Sequence, residues 1–303
     1  MSRKRLSLQD PPLGFLVGSR LELLPPVTWV RRLRRPRQAD VFLLSYPKTG
    51  RTWMRVMIGQ MLATHFGHPE LARVELDSRM PRFEGVPRIL AKHDGMPERK
   101  SAAEINPDRS EYAGCRVILL VRDLRDTVVS NYFQVTRRER SYEGDLSSFV
   151  HWPRGSFEGM LRYYNVWAAQ RHVPRDFLLV RYEDLHADTA RELRRVAAFL
   201  GLGQVADATI QSAVEHGSFG SMKRREASRT ADGTPLAAGR EGDPESFKTR
   251  RGKIGGYVDY LSAGDVAWLN RRIDDELDPS YGYTSAPLPR PFTRPVAPMN
   301  QHD

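Results

Sequence analysis

Short apolar runs alternate with segments of helical spacing, and this alternation is the feature that most constrains the fold of the chain. Continuous apolar runs of this kind are typical of strands buried on both faces of a parallel sheet. Strands that alternate with helices predict an α/β domain with helices on both sides of the sheet. We therefore expect a three-layer αβα fold around a central, mostly parallel sheet. The predicted strands are residues 41–44, 88–90, 117–121 and 177–180.

Two of the intervening segments have a clear helical pattern. The first opens just after residue 50 and carries two adjacent i, i+4 rows of apolar side chains. The second begins at a predicted capping box, Thr189 with Glu192, and ends before Gly201. The rows of the first helix are Trp53, Met57 and Met61, and beside them Met54, Ile58 and Leu62.

Composition and periodicity divide the chain into a domain and two terminal extensions. Residues 41–286 contain all of the predicted strands and helices. Residues 1–40 are rich in Pro and Arg without periodicity, so we expect a basic extension, and residues 287–303 are expected to form an extended tail. Within the domain, residues 224–249 are polar with Gly and Pro but have no convincing element, which favours a mobile lid.

Composition restricts the classes of partner and compartment. The 303 residues carry a formal net charge of +10, which favours anionic partners such as phosphates and sulfates. Cys115 is the single cysteine, so an internal disulfide and a Cys-based metal cage are excluded, and a reducing cytoplasm is expected. No apolar run approaches the ~20 residues of a membrane span, and no signal peptide is recognised. The basic cluster at residues 31–37 is read as solvated chain, with weak contact to a membrane surface as the alternative.

The stretch SYPKTGRTW, residues 45–53, has the ingredients of an anion cradle. It joins a strand to a helix at the carboxyl edge of the sheet, where open α/β folds bind ligands. The helix start offers unpaired N–H groups, Lys48 adds a cation, Gly50 permits close approach, and Thr49 and Thr52 offer hydroxyls. It lacks the Gly-Lys pair of the nucleotide loop. The alternative is an ordinary turn with a surface lysine.

Two further segments place basic side chains where they could reach the same edge. Arg122 ends a predicted strand and Ser130 lies on the next helix, so the pair could bind a second phosphate. The alternative for Arg122 is an ion pair with Asp126. Residues 250–252, Arg-Arg-Gly, could close over a phosphate, or form a basic turn on a basic protein.

His93 follows the predicted strand at residues 88–90 and therefore falls at the same edge. Histidine accepts a proton near neutral pH, so His93 is a candidate general base. A structural histidine is the alternative. No histidine in the sequence has a recognisable metal-ligand spacing, and no metal is expected to be required.

Five motifs in a fixed order resemble the cytosolic type of sulfotransferase, which uses 3′-phosphoadenosine 5′-phosphosulfate (PAPS). The resemblance covers residues 41–261 and implies an αβα fold like that of the P-loop NTPases. The first motif is highly specific, and the ordered set is more so. The motifs are YPKTGRTW, VRDLRDTVVSNYF, RYEDL, HGSFGSMK and RRGKIGGY.

The resemblance implies a role for each matching residue. His93 would be the catalytic base, and Lys48 would stabilise the leaving group. The 3′-phosphate would be held by Arg122 and Ser130, with Arg250, Arg251 and Gly252 closing on it. Trp53, Tyr182 and Phe219 would form the adenine pocket. The 5′-phosphosulfate loop would comprise Lys48, Thr49, Gly50, Arg51 and Thr52.

Several positions depart from the family pattern. Arg51 stands where a small hydroxyl residue is usual, and Ala91 stands where the lysine of a Lys-Thr-His stretch is expected, with Lys92 beside it. Gly217 replaces a threonine beside the adenine, and residues 256–257 are Gly-Tyr in place of Asp-Trp. The family's C-terminal dimerisation stretch is not recognisable, so the oligomeric state stays open.

The expected reaction is transfer of a sulfuryl group from PAPS to an acceptor hydroxyl, or less favourably an amine. The acceptor is a small molecule, a glycan or a lipid head group, with a pocket expected from residues 60–87 and 134–175. A P-loop kinase that uses ATP and Mg²⁺ is the enzymatic alternative. A non-catalytic basic module for nucleic acid or lipid ranks third, because it leaves the ordered motifs unexplained, and nucleic acid is not expected as a partner.

Overall fold

The computed structural model describes residues 39–73, 76, 80–228 and 242–286. Its centre is a four-stranded sheet in the order β2-β1-β3-β4, in which every neighbouring pair is parallel. The three-layer α/β prediction and all four predicted strands are confirmed, each strand within about two residues of its predicted ends. The strands are β1 (Val41–Ser45), β2 (Ile89–Lys92), β3 (Arg116–Val121) and β4 (Asp176–Arg181).

Alternate side chains of β1 enter two separate cores, one on each face of the sheet. Val41 and Leu43 pack among the residues of one core, whereas Phe42 and Leu44 belong to the other. All five residues of β1 are buried, as expected of a central strand with helices on both faces. This two-sided burial explains why β1 reads as a continuous apolar run.

Helix α1 (Arg51–Phe66) follows β1 after a turn of five residues, at 46–50. It begins after Gly50 and ends before Gly67, both of which have positive φ. The two predicted apolar rows face the sheet, since Met54, Met57 and Met61 are fully buried. The helix therefore holds its N-terminus fixed above the carboxyl ends of the strands.

The remaining helices cover the two faces of the sheet. A five-residue π-helical turn, Gln134–Arg138, directly extends α2. The helices are α2 (Leu124–Phe133), α3 (Leu146–Val150), α4 (Phe157–Gln170), α5 (Tyr182–Ala187), α6 (Thr189–Phe199), α7 (Asp207–His216), α8 (Phe219–Ala227) and α9 (Ala263–Glu276). No helix within the described ranges is long and apolar enough to cross a membrane.

The predicted capping box of α6 is wrong. Asp188 is the N-cap, and its carboxylate accepts a hydrogen bond from the N–H of Arg191. Thr189 is already helical and donates its hydroxyl to the carbonyl of Leu185. An aspartate caps as well as a threonine does, so a pattern shifted by one residue could not be resolved from sequence.

The predicted lid, residues 224–249, is more ordered at its ends than its composition suggests. Helix α8 continues through Ala227, and Pro244–Ser246 form a 3₁₀ turn. The carboxylate of Glu226, fully buried, accepts the N–H groups of Lys248 and Thr249 at 2.6 and 2.8 Å. The prediction that this segment contains no helix or turn was therefore wrong for its two ends. Residues 229–241, residues 1–38 of the predicted extension at 1–40, and the predicted tail at 287–303 lie outside the described residues.

Candidate active site

A cavity of about 700 Å³ opens at the carboxyl ends of the strands. The sequence predicts a single binding site from separate motifs, and the fold brings those motifs to this cavity. Thr49 is the one predicted site residue that does not line it. The predicted residues that do are Lys48, Gly50, Arg51, Thr52, Trp53, His93, Arg122, Ser130, Tyr182, Phe219, Arg250, Arg251 and Gly252.

The loop between β1 and α1 has a backbone that forms a concave cradle. Lys48 has φ of 70° and Gly50 has φ of 96°, so two positions adopt the left-handed region within three residues. A Cβ atom on Gly50 would lie 2.7 Å from the ring of Tyr182. Gly50 is therefore required both by its own φ and by the aromatic ring beside it.

Lys48 is held at the cavity wall by Gln134. Its Nζ donates to Oε1 of Gln134 at 2.9 Å. Burial, followed by the nearby charges of Lys248 and Arg138, lowers the pKa of Lys48 to about 7. Several cations therefore converge on a poorly solvated site, and this arrangement favours the binding of a multiply charged anion.

His93 has a defined tautomer. Its Nδ1 lies 3.0 Å from the carbonyl oxygen of Ser45, which can only accept, so Nδ1 carries the proton and Nε2 is left as an acceptor. Burial and the charge of Arg51 lower the pKa of His93 to about 3, so the ring is neutral at physiological pH. A neutral imidazole with an unprotonated Nε2 on the cavity is the form that a general base requires.

Arg122 is fixed from several directions at the end of β3. Its guanidinium donates to the carbonyl oxygens of Lys48 at 3.4 Å and Lys253 at 3.2 Å, and it lies 4.4 Å from the ring centre of Tyr182. The predicted alternative is also present, since Nη2 is 3.6 Å from a carboxylate oxygen of Asp126. The ion pair and the cavity lining coexist, because Arg122 has five N–H donors.

The Arg-Arg-Gly segment is anchored to aromatic residues. Nη1 of Arg250 donates to Oε2 of Glu245 at 2.9 Å and to the Tyr260 hydroxyl at 2.7 Å. Arg251 pairs with Asp259 at 2.8 Å and keeps 45% of its side-chain surface exposed. Arg250 is thus positioned at the cavity in advance, and Arg251 is held beside it by a more exposed ion pair.

Three aromatic side chains form the wall predicted for the adenine. The indole Nε1 of Trp53 donates to the carbonyl of Gly217 at 2.7 Å, and its ring contacts Tyr182 edge-to-face at 5.6 Å. Phe219 is 45% exposed, which is unusual for a large apolar side chain. A flat aromatic ligand would cover this surface.

Gly217 explains one departure from the family pattern. A Cβ atom at this position would lie 2.4 Å from Cγ of Met57, which is fully buried in the core. The threonine usual at this position therefore does not fit beside Met57. The two positions form a matched pair in this chain.

Two expectations need correction. Thr49 is fully buried and donates its hydroxyl to the carbonyl of Tyr46 at 2.9 Å, so its side chain shapes the loop and cannot contact a ligand. Lys92 does not line the cavity: its Nζ lies 4.8 Å from the ring centre of Tyr112 and 3.9 Å from a carboxylate oxygen of Glu111. Lys92 therefore does not replace the lysine that is absent at Ala91.

Part of the cavity wall was not predicted from the sequence. The wall contains Glu98 and Arg99, which lie between the two ranges predicted for the acceptor, and the described residues of the range 60–87 do not line it. Arg55 also lines the cavity, one helical turn after Arg51, and this i, i+4 spacing was a readable signal. Gln134 and Glu139 lie within the predicted range 134–175 and do line the cavity, but the π-helical turn that positions them was not predicted.

No group of three or more His, Cys, Asp or Glu side chains within residues 39–73, 80–228 and 242–286 is placed to hold a metal ion.

The sequence matches the model of the sulfotransferase domain over residues 38–280, which is most of the chain. The chain belongs to the sulfotransferase family. This membership confirms the predicted family and the class of enzyme, a transferase of sulfuryl groups.

Plant enzymes are among the curated relatives of this sulfotransferase. Cytosolic sulfotransferase 17 of Arabidopsis thaliana is 24% identical over 281 residues, which cover 84% of this chain and 79% of that protein. Flavonol 3-sulfotransferase of Flaveria bidentis is 22% identical, with 78% of this chain and 81% of that protein covered. The similarity therefore extends over most of both proteins.

Solved structures show the same fold. Mouse sulfotransferase SULT7A1 complexed with PAP aligns with a TM-score of 0.58 at 18% identity, over 80% of this chain and 85% of that one. Retinol dehydratase, in complex with androsterone and the inactive cofactor PAP, aligns with a TM-score of 0.57 at 19% identity, over 81% and 82% of the two chains. The P-loop-like αβα architecture of this sulfotransferase is thereby confirmed.

Proposed function

We propose that this sulfotransferase uses PAPS as its donor and transfers the sulfuryl group to a hydroxyl of a small-molecule acceptor. The observation that carries the proposal is a single cavity in which Lys48 and Arg122 stand beside an aromatic wall. Adenosine 3′,5′-bisphosphate (PAP), present in two solved relatives, has the matching parts: two phosphate groups and an adenine ring, all three attached to one ribose. The residues present fit this donor.

The cradle holds the phosphosulfate end of the donor. Backbone N–H groups at the start of α1 and the ammonium of Lys48 provide positive charge at one place. As the bond between sulfur and the bridging oxygen breaks, Lys48 stabilises the charge that develops on that oxygen. The pKa of Lys48 is about 7 in the free protein, so only part of the amine is protonated at neutral pH. The anionic donor raises this pKa, and Lys48 is then fully charged when the donor is bound.

His93 accepts the proton of the acceptor hydroxyl at Nε2. Donation from Nδ1 to Ser45 fixes the ring with that nitrogen available. A positioned base of this kind contributes about 10²–10⁴-fold to the rate. In the free protein, the cations of the cavity destabilise the imidazolium and lower the pKa of His93. The negative charge of the bound donor stabilises the imidazolium, so donor binding raises this pKa toward neutrality.

Arg122 and Ser130 hold the 3′-phosphate, and Arg250, Arg251 and Gly252 close over it. This end of the donor is remote from the reacting sulfur, so it contributes orientation and distinguishes PAPS from ATP, whose 3′ position carries a hydroxyl. Trp53, Tyr182 and Phe219 enclose the adenine.

The acceptor class is narrowed by comparison with the relatives rather than by a bound ligand. Among the relatives, one is named as a flavonol sulfotransferase, and a solved complex contains the steroid androsterone. We propose a small molecule before a glycan or a lipid head group. A cytoplasmic location is proposed from the names of the Arabidopsis relatives.

Incubation with ³⁵S-labelled PAPS and a panel of phenols, alcohols and amines tests this function. We expect label on at least one hydroxyl acceptor, in EDTA as well as in buffer with Mg²⁺. The Lys48→Ala variant is the control, and it should transfer at least about 100-fold more slowly. Phosphate transfer from ATP that depends on Mg²⁺, with no transfer of label from PAPS, would contradict the proposal and favour a kinase.

A further inference from the structure

Two departures from the family pattern occur in parts of the chain that the fold brings together. Ala91, on β2, has no side-chain charge where the family has a lysine, and Arg51, at the start of α1, has a charge where the family has a small hydroxyl residue. Strand β2 pairs with β1, and β1 leads directly into the cradle before α1. One charge is lost and one is gained beside the same catalytic base.

The side chains of β2 show that no neighbour in that strand recovers the lost charge. Ala91 packs in the core that α1 covers, on the same side as the following alternate residue, His93. Lys92 points to the other side, where its ammonium lies over Phe42 and Tyr112. Neither Ala91 nor Lys92 of β2 therefore supplies a cation to the cavity, and any cation beside His93 comes from another element.

Arg51 is placed to supply it. It is the first residue of α1 and lines the cavity together with His93 and Lys48. After burial, the charge of Arg51 is the largest cause of the low pKa of His93, ahead of the charges of Arg55 and Lys48. Its charge also acts on the carboxyl of Glu98 on the acceptor side. The guanidinium therefore acts where the acceptor, the base and the sulfuryl group meet.

We propose that Arg51 binds the transferring sulfuryl group, so that the helix start supplies a cation in the site whose strand β2 lacks the lysine usual at position 91. This inference rests on the proposed function. In the transfer, the bond from sulfur to the bridging oxygen breaks, a bond from sulfur to the acceptor oxygen forms, and the acceptor proton passes to Nε2 of His93. Adenosine 3′,5′-bisphosphate leaves with the bonding electron pair. Arg51 hydrogen-bonds the non-bridging sulfuryl oxygens throughout, and its planar fork suits them.

The test compares affinities for PAPS and for adenosine 3′,5′-bisphosphate, which differ only by the sulfuryl group. The Arg51→Thr variant restores the usual residue type of the family. Its ratio of PAPS affinity to bisphosphate affinity should be about tenfold or more below that of the wild type, because a charge-assisted contact to the sulfuryl group is lost. Adding Ala91→Lys to Arg51→Thr should recover part of that ratio, an outcome that a merely structural role of Arg51 would not give.

Arg162→Thr removes an exposed arginine from α4 and is the matched control, expected to leave both affinities unchanged. Calorimetry on the wild type separates this inference from the proposed function. If the wild type binds neither nucleotide, the proposed function fails and the inference fails with it. If the wild type binds both and Arg51→Thr leaves their ratio unchanged, whether by weakening both equally or neither, the inference alone is overturned.

Discussion

The Nζ of Lys48 lies 2.9 Å from Oε1 of Gln134, and Nε2 of the same amide donates to Glu139 at 2.9 Å. Gln134 begins the π-helical turn that extends α2, the helix that carries Ser130. The lysine that we propose to stabilise the leaving group is therefore held, before the donor binds, by a neutral amide. π-Helical turns often occur at functional sites, and this one places Gln134 opposite the cradle.

Replacing Gln134 by Glu should weaken the binding of adenosine 3′,5′-bisphosphate about tenfold or more. A carboxylate at this position would pair with Lys48 and repel the phosphate that Lys48 must bind. Gln134→Met, of similar size without charge or strong hydrogen bonds, is the matched control and should lose less affinity. Calorimetric titration of both variants makes the comparison, and equal affinity for Gln134→Glu and the wild type would show that Gln134 is not beside the anion.

Binding of the bisphosphate should take up protons at pH 8. The pKa of Lys48 is lowered to about 7 in the free protein, chiefly by burial, so the amine is mostly neutral at pH 8. An adjacent phosphate favours the charged form, so protons are absorbed on binding and affinity falls as the pH rises above about 7. At pH 8 the phosphate monoesters are already fully ionised and contribute little.

Titrations at pH 8 in buffers of different ionisation enthalpy measure this uptake, with Lys48→Met as the control. The variant should bind more weakly and take up fewer protons. Proton uptake that is unchanged in Lys48→Met would assign the linkage to another group.

His93→Asn should lower turnover about 10²–10⁴-fold while leaving bisphosphate binding nearly intact. Asparagine can still donate to the carbonyl of Ser45, so the end of β2 keeps its anchor, but no base remains at the position of Nε2. Steady-state rates and calorimetry are measured on the same preparation, with exposed His172→Asn as the control. Near-normal turnover of the His93 variant would exclude it as the base.

Arg122→Ala should weaken adenosine 3′,5′-bisphosphate far more than 5′-AMP, by about tenfold or more in the ratio. The guanidinium is proposed to contact the 3′-phosphate, which 5′-AMP lacks. Because Arg122 also bonds the carbonyl of Lys48, some loss for both nucleotides is expected. A loss of the same size for both would refute the assignment of Arg122 to the 3′-phosphate.

The strands and the gathering of the motifs were predictable because they depend on local, repeated signals. A central parallel strand reads as a continuous apolar run, and residues that follow such strands meet at one edge of the sheet. His93 and Arg122 were placed in this way, and both line the cavity. The family resemblance joined segments that were individually ambiguous.

The misplaced residues depend on contacts that no local pattern contains. The hydroxyl of Thr49 is taken by the carbonyl of Tyr46, which a strand–turn–helix pattern does not specify. The order around Lys248 comes from Glu226, on a helix more than twenty residues earlier in the chain. Gly217 is explained by Met57, to which it is joined by packing alone. Long-range partners of this kind become visible only when the chain is folded.

The most direct test of the account is a calorimetric titration of the wild-type protein with adenosine 3′,5′-bisphosphate, compared with 5′-AMP. We expect saturable binding at one site, clear preference for the bisphosphate, and a rise in thermal stability that corresponds to about 2.7 kcal/mol at one hundred times Kd. Absence of heat together with an unchanged unfolding temperature, or equal affinity for the two nucleotides, would contradict it.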